Sequence, residues 1–367
     1  MNKTTLRPLV LLLIAFVCTA AVPAINAQDE KKHQEIAVRL VQSASVKTGD
    51  VVIINGGKHM IPLMEAAAIE VQKTGGMPVI ILESERVARS YYTEVPEKFL
   101  ELEPRFWGEW LKNTNVYIGL SSWEDPKAVI DAVPETRFAK ASKAGDFFAG
   151  LLNSLPVRLI SIDIPKKQDA ENNGMDFAAY QKIMMDGINA DYRAISAQGN
   201  KLREMLKNAR QIRVTSSAGT DFTFSPAPGR EVFVDDGIIT EERAKSKMFA
   251  HRIASLPGGS VFFAPLEASA NGKVFVPKMQ CRYAPMNNVN FEFKNGALQN
   301  FKAGTNAECF QETMAPYTGP KDMLGAVWFG INPGLRVVED GNARFRPFNA
   351  AGMVHIGIGE NRHYGGI

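Results

Sequence analysis

Apolar and polar positions along the first half of the chain predict strands separated by helices. Residues 51–54 form a short apolar run typical of a strand buried on both faces, and Gly56-Gly57 ends it. Residues 60–73 then carry apolar side chains at helical spacing. Further apolar runs follow at 78–82, 116–120 and 157–162. This order predicts right-handed parallel βαβ units, and so an α/β N-terminal domain with a parallel sheet and helices on both faces.

The pattern changes near residue 209. Residues 176–209 are predicted to be helical, in two pieces because the stretch contains Gly187 and Gly199. Short β-rich runs follow from about residue 211, and Asn295-Gly296 between two of them is a strong signal for a type I′ hairpin. We therefore predict two domains, an α/β domain over 28–208 and a β-rich (α+β) C-terminal domain over 209–367.

The first 27 residues predict a secretory signal peptide. Lys3 and Arg7 form a positive start, an apolar run covers 9–17, and small residues lead to Ala27, where we place the cleavage. No later segment is long and apolar enough to span a bilayer. The sequence therefore predicts an exported protein, periplasmic or secreted, with no membrane contact after cleavage.

Charge gives no reason to expect nucleic acid as a partner. The chain has 42 Lys and Arg against 39 Asp and Glu, a net charge of +3.

After removal of the signal peptide, Cys281 and Cys309 are the remaining cysteines. In an oxidising compartment they form one disulfide or stay as two buried thiols, and the sequence leaves both open.

Common catalytic motifs are absent. No serine lies in a Gly-x-Ser-x-Gly frame, and no His-Glu-x-x-His motif occurs. The turn at 55–58, Asn-Gly-Gly-Lys, offers backbone amides to a phosphate, although glycines in such a turn more often serve its geometry. His355 and His363 flank a glycine turn and are candidates to face one cavity.

Four phrases in order and register resemble the thermophilic metallo-aminopeptidase (aminopeptidase T-like) family. They are Gly-Thr-Asp-Phe-Thr-Phe at 219–224, Leu-Pro-Gly-Gly-Ser-Val-Phe-Phe-Ala-Pro-Leu-Glu at 256–267, Leu-Gly-Ala-Val-Trp-Phe-Gly-Ile-Asn-Pro-Gly at 324–334 and Gly-Met-Val-His-Ile-Gly-Ile-Gly at 352–359. The resemblance implies an α/β domain followed by a β-rich catalytic domain, usually in a homodimer. It also implies removal of N-terminal residues from peptides at a two-metal site.

The expected metal ligands are mostly replaced. The resemblance places glutamates where this chain has Ser260 and Ala326, and a tyrosine where it has Arg362. The expected histidine is present as His355, while a final His-x-Asp pair is expected further on than Gly365-Gly366-Ile367. Serine is a weak neutral ligand and alanine offers none.

A two-metal centre is therefore unexpected, and the chain is predicted to bind no metal or one divalent cation of the zinc, cobalt or manganese class. The candidate ligands for that cation are His355, His363, Tyr364 and Glu267. Asp221 is a further acidic residue close to the matched phrases. No catalytic residue is assigned.

Two main functions remain open from the sequence. The first is an exported aminopeptidase T-like protein without peptidase activity that binds a peptide or small molecule in its cleft. The alternative is an active metal-dependent aminopeptidase with a reduced site around His355. A third, weaker hypothesis is a related one-iron ring-opening dioxygenase, which also looks to the missing His-x-Asp pair.

Overall fold

The computed structural model describes residues 27–366, and its first part alternates helices with parallel strands. The helices are α1 (Ala27–Ser43), α2 (Ile61–Lys73), α3 (Glu85–Thr93), α4 (Arg105–Lys112), α5 (Pro126–Asp131), α6 (Glu135–Ser154), α7 (Lys167–Asn172), α8 (Phe177–Ile188) and α9 (Tyr192–Asn208). The strands are β1 (Val51–Gly57), β2 (Met77–Glu83), β3 (Val116–Gly119) and β4 (Arg158–Ile162).

The second part is dominated by antiparallel strands, with β8 alone pairing in parallel, to β4. Its strands are β5 (Ile212–Thr215), β6 (Asp221–Phe224), β7 (Phe233–Asp235), β8 (Ile253–Leu256), β9 (Ser260–Phe263), β10 (Asn271–Cys281), β11 (Ala284–Lys294), β12 (Ala297–Lys302), β13 (Leu324–Gly330) and β14 (Val354–Ile358). Two short helices, α10 (Glu241–Ala244) and α11 (Ala307–Met314), lie between them.

The parallel sheet has the strand order β2-β1-β3-β4-β8. One face packs on α1 and α2 through side chains such as Val52 and Ile118, and the other face packs on α4 and α6 around Leu111 and Leu152. The predicted parallel sheet with helices on both faces is confirmed. Its edge strand β8 comes from beyond residue 208, so the chain returns to the first sheet, and the boundary at 208 stays a prediction.

The predicted pair of helices over 176–209 is confirmed, but the break lies at residues 189–191 and not at either glycine. Asp191 is the N-cap of α9, because its carboxylate accepts hydrogen bonds from the backbone N–H groups of Arg193 and Ala194. Gly187 serves close packing instead, since a Cβ there would lie 2.5 Å from a Leu335 methyl group.

The β-rich part is a sandwich of two antiparallel sheets. A five-stranded sheet in the order β12-β11-β10-β6-β5 faces a four-stranded sheet in the order β14-β13-β9-β7, with Phe222, Phe224 and Phe263 buried in the core. The predicted hairpin joins β11 to β12, and Asn295 and Gly296 both have positive φ, as a type I′ turn requires.

The two cysteines are bonded to each other. The disulfide joins Cys281 at the end of β10 to Cys309 in α11, with the Cα atoms 6.1 Å apart. This selects the disulfide from the two alternatives that the sequence left open.

Within residues 27–366, no helix has the length and apolar character needed to cross a membrane. Residues 1–26 of the predicted signal peptide lie outside the described residues, so cleavage after Ala27 stays a prediction.

Asn332 joins three parts of the fold. Its fully buried Nδ2 donates to the carbonyl oxygens of Gly187 at the end of α8 and of Gly258, at 3.0 and 2.6 Å. Its Oδ1 accepts from the backbone N–H of Gly334. Gly259 must be glycine, because a Cβ there would lie 2.8 Å from the Cβ of Asn332 and its φ is +116°.

We expect Asn332→Ala to lower the free energy of unfolding by about 3 kcal/mol, because it removes two buried hydrogen bonds and a partly buried one and leaves the Gly258 carbonyl group without its Asn332 partner. Urea unfolding followed by circular dichroism measures this. Asn342→Ala, at an exposed position, is the matched control and should change stability by less than about 0.5 kcal/mol. Equal effects of the two substitutions would contradict this role for Asn332.

Candidate functional site

The positions where metal ligands are expected share one face of the four-stranded sheet. Ser260 in β9 lies opposite Gly330 in β13, and His355 in β14 lies opposite Trp328. Because side chains alternate along a strand, Ser260, Ala326 and His355 all project to the face away from the sandwich core. The fold therefore places these positions on one face of one sheet, although Ser260 lies level with Gly330, four residues along β13 from Ala326.

That face carries a row of aromatic rings, which we call the aromatic row: Phe233, Phe262, Trp328 and His355. Each ring comes from a different strand, and neighbouring ring centroids lie 5.3, 6.2 and 5.3 Å apart. Tyr364 packs edge-on against Phe262 and Trp328, at 5.5 and 5.7 Å. Such contacts stabilise a packed apolar surface beyond the area that they bury.

The residues on this face do not fit a two-metal centre. Ser260 and Ala326 are only 1% and 3% exposed, and neither supplies an anionic oxygen to balance a divalent cation. Among residues 27–366, no group of three or more His, Cys, Asp and Glu side chains is placed to hold a metal ion. Phe262 and Trp328 lie two residues along β9 and β13 from these positions, on the same face, and Asp235 of β7 lies opposite Ser260.

His355 lies between two aromatic side chains. Its ring centroid is 5.3 Å from that of Trp328 and 6.1 Å from that of Phe348. These apolar surroundings lower the pKa of His355, because burial disfavours the imidazolium. The side chain still reaches solvent, so a neutral imidazole is available to a ligand.

Glu267 is held by two side chains and lies off the aromatic row. Arg230 forms an ion pair with its carboxylate at 2.7 Å, and the Nδ2 of Asn361 donates to Oε1 at 2.9 Å. Both charged side chains are largely buried. The carboxylate thus ties the 226–231 loop and the C-terminal segment to the turn after β9.

The remaining sequence candidates are spread apart. The ring of His363 meets Asn153 through Nδ1 at 2.6 Å and approaches Glu360 through Nε2 at 3.6 Å, on the exposed surface. Asp221 pairs with Arg213 at 2.7 Å, also in solvent. Burial raises the pKa of Tyr364, with a smaller contribution from Glu360, so its hydroxyl stays protonated.

A cavity of about 530 Å³ opens beside His355, and sequence reasoning did not find it. We call it the apolar cavity. Its walls come from β10, β11, β14, α11 and residues 344–347, with mostly apolar side chains such as Val276 and Phe310. Two cations line it, Arg344 with a buried Nε that has no hydrogen-bond partner, and Arg346, which pairs with Glu339. The alternating apolar residues of β10 and β11 are the sequence pattern from which this wall of the cavity could have been predicted.

Comparisons with known proteins identify a matching family and a solved structure with a similar fold. A sequence model of the thermophilic metalloprotease (M29) family matches residues 28–325, a stretch that includes Ser260 and Glu267 and ends just before Ala326. The solved structure of wild-type AmpT from Thermus thermophilus has a TM-score of 0.61 and 15% sequence identity, over 82% of this chain and 78% of that chain. That likeness shows a shared fold. A comparison with curated proteins found no match.

We expect the stability of the protein to fall below pH 6.5 in part through His355. Because its pKa is lowered in the folded state, the unfolded chain binds the proton more readily, and acid favours unfolding from pH 6.5 downward. His355→Gln should therefore lose less stability than the wild type between pH 7 and pH 5, as measured by urea unfolding at both pH values. An identical loss in both proteins would show that the imidazole is not desolvated.

Proposed function

The chain belongs to the thermophilic metalloprotease (M29) family, and we propose that it is an exported member without the two-metal peptidase site that binds a peptide or small molecule. One observation supports the loss of the two-metal peptidase activity. Ser260 and Ala326 stand at the expected bridging positions, buried beside the aromatic row. Two divalent cations need several anionic or imidazole ligands, and His355 alone cannot supply them.

The apolar cavity supports a binding role. Its volume of about 530 Å³ lies within the range of small-molecule sites, which are mostly apolar with a few polar groups. Arg344 and Arg346 place two guanidinium groups on its wall, and the Gln280 amide also lines it. This combination favours a ligand with a large apolar body and one anionic or oxygen-rich end, such as a peptide with apolar side chains.

The second candidate function is an aminopeptidase that uses one divalent cation at His355. Family membership and a neutral imidazole, the form that binds metal, favour it. The partners that such a cation needs are not near: Glu267 is bonded to Arg230 and Asn361, and His363 to Asn153.

The expected homodimer is also a proposal, and we place its contact at β2. This strand lies at the edge of the parallel sheet and exposes Met77, Ile80 and Leu82 by about half of each side chain. An apolar edge strand is a template for pairing with another strand. Sedimentation equilibrium of the wild type and of Ile80→Lys tests it, and a monomeric wild type would contradict it.

The proposed function predicts binding without hydrolysis. We expect the protein, supplied with zinc, cobalt or manganese, to release no p-nitroaniline from leucine p-nitroanilide above the rate seen with excess chelator. The same preparation should bind 1-anilinonaphthalene-8-sulfonate, an apolar anion. Chelator-sensitive hydrolysis that His355→Ala abolishes would establish the aminopeptidase instead.

A matched pair of variants locates the binding. Val276→Trp fills the apolar cavity and should weaken binding of the anion by at least about tenfold. Val337→Trp makes the same change at an exposed position outside the cavity and should leave binding unchanged. Equal affinities for both variants would mean that the cavity is not the binding site.

A further inference from the structure

The four-stranded sheet of the sandwich ends at β14, and within residues 27–366 no strand pairs with the outer edge of β14. Its five residues, 354–358, include no lysine, acid or proline. The other outer strands of the sandwich differ, since β5 carries Arg213, β12 ends at Lys302 and β7 has only three residues. Proteins commonly protect a sheet edge with charge or with a short strand. The edge of β14 is therefore open to a further strand.

The register of β14 turns the backbone groups of Val354 and Ile356 toward this open edge. The backbone N–H of Gly330 in β13 donates to the carbonyl oxygen of Met353 at 2.9 Å, and the same register continues to His355. Along an antiparallel pair, residues that bond to the partner strand alternate with residues whose N–H and C=O point away from it. The N–H and C=O groups of Val354 and Ile356 are thus directed away from β13 and available to a further strand.

The side chains of β14 that alternate with His355 line the apolar cavity. Val354, Ile356 and Ile358 form one wall, and Val276 and Phe291 of β10 and β11 belong to the other. The five-stranded sheet here faces a sheet of four strands, so the cavity lies where the smaller sheet has no further strand. Neighbouring strands in a sheet are about 4.8 Å apart. A strand added to β14 would therefore continue the smaller sheet across the opening of the cavity.

The lining of the apolar cavity is positively charged. Arg344 and Arg346 belong to it, and none of its lining residues is acidic. Arg346 forms an ion pair with Glu339 outside the lining. Arg344 donates to the carbonyl oxygen of Asn342 at 2.8 Å and to Oδ1 of Asn287 at 3.2 Å, and both of these acceptors are neutral. Among the described residues the charge of Arg344 thus has no counterion, and an anionic group on a ligand would complement it.

The position of this charge gives a bound peptide a direction. Asn287, which Arg344 contacts, lies near the turn between β10 and β11. Ile358 lies at the opposite end, because its partner in β13 donates its N–H to Gly296 in the turn after β11. The arginines are therefore at the Val354 end of β14. A peptide antiparallel to β14 brings its C-terminal carboxylate to that end, whereas a parallel peptide would bring its ammonium group there.

We propose that β14 binds the C-terminal segment of an extended peptide as an additional antiparallel strand. Alternate apolar side chains of the peptide enter the apolar cavity, and its terminal carboxylate meets Arg344 and Arg346. In this binding mode main-chain hydrogen bonds supply affinity, and pockets for alternate side chains supply selectivity. The proposal rests on the apolar cavity being the ligand site, as proposed above, and adds the class of ligand, its direction and the terminus that is recognised.

A second copy of the chain complements this edge less well than a peptide does. If the two copies paired through β14, that strand would bring no acidic residue to the arginines. Its apolar side chains Val354, Ile356 and Ile358 are already packed against the core of their own sandwich. The free C-terminus of a peptide supplies the missing negative charge, and its side chains are free to enter the cavity.

The test is fluorescence anisotropy with the probe fluorescein-Gly-Ser-Leu-Thr-Leu-Thr-Leu, which has a free C-terminal carboxylate. A second probe has the same sequence and a C-terminal amide. We expect the protein to bind the carboxylate probe at least about tenfold more tightly than the amide probe, because Arg344 and Arg346 meet the carboxylate. Equal affinities would overturn recognition of the C-terminus, and absence of binding by both probes would overturn the whole proposal.

N-methylated probes separate strand addition from simple filling of the cavity. Residues directly opposite each other in an antiparallel pair share a face, so leucines that enter the cavity lie opposite Val354 and Ile356 and bond to them through their N–H groups. N-methylation of the central leucine should therefore weaken binding at least about tenfold. N-methylation of the threonine that follows it is the matched control, because that N–H points away from β14, and it should change the affinity less than about threefold. Equal effects would overturn the added strand.

Arg344→Gln tests the charge, and the amide probe serves as its internal control for folding. The substitution should weaken binding of the carboxylate probe at least about tenfold and leave binding of the amide probe unchanged. Arg336→Gln, at an exposed position outside the cavity, should bind both probes like the wild type. If Arg344→Gln loses the amide probe as well, Arg346→Gln provides the same measurement. Undiminished preference for the carboxylate in both variants would overturn the role of the arginines.

Binding of 1-anilinonaphthalene-8-sulfonate distinguishes failure of this proposal from failure of the proposed function. Val276→Trp should weaken binding of this anion and of the peptide alike, because both occupy the apolar cavity. Anion binding without peptide binding would keep the cavity as a ligand site and overturn β14 as a peptide site. Peptide binding that survives Val276→Trp would place the peptide elsewhere. Peptide affinity that falls as the protein concentration rises would place a second copy on β14, which also overturns the proposal.

Discussion

The two buried hydrogen bonds donated by the Asn332 amide fix the geometry of the face that bears Ser260, Ala326 and His355. They hold the end of α8 and the loop before β9 against the end of β13, where the two halves of the chain meet. The loop before β9 follows directly from β8, which closes the parallel sheet, and leads into the strand that carries Ser260 and Phe262. The Leu-Pro-Gly-Gly and Gly-Ile-Asn-Pro-Gly phrases are thus required by the packing of this junction, so they can stay while the chemistry beside them differs.

The face that this junction supports has the framework of a metal site and the side chains of a hydrophobic surface. Four strands deliver Phe233, Phe262, Trp328 and His355 to adjacent places, and the stacking of these rings needs no cation to hold the face together. A metal centre needs charged ligands kept close against their mutual repulsion, and the cation offsets that repulsion. With a serine and an alanine at the expected bridging positions, neither the repulsion nor the need for a cation remains.

Local pattern predicted most of the fold, and contacts between distant residues account for what it missed. The apolar runs of β1 and β4 and the Asn295-Gly296 turn each depend on neighbours in sequence, and each was predicted. Strand β8 has four residues and pairs with β4, about a hundred residues earlier, so no local signal identified it. In the same way the sequence placed Glu267 near the matched phrases but could not reveal Arg230 and Asn361, which occupy its carboxylate. The apolar cavity depends on several segments meeting in space, and it was not predicted.

The central claim is that the face bearing Ser260, Ala326 and His355 does not hold a catalytic metal. Elemental analysis of the purified protein, loaded with zinc, cobalt or manganese and then desalted, tests it most directly. Our account predicts less than about a tenth of an equivalent per chain, because a single histidine without anionic partners binds divalent cations too weakly to survive desalting. One or more equivalents, lost in His355→Ala, would contradict the account and place a rebuilt metal centre on the aromatic row.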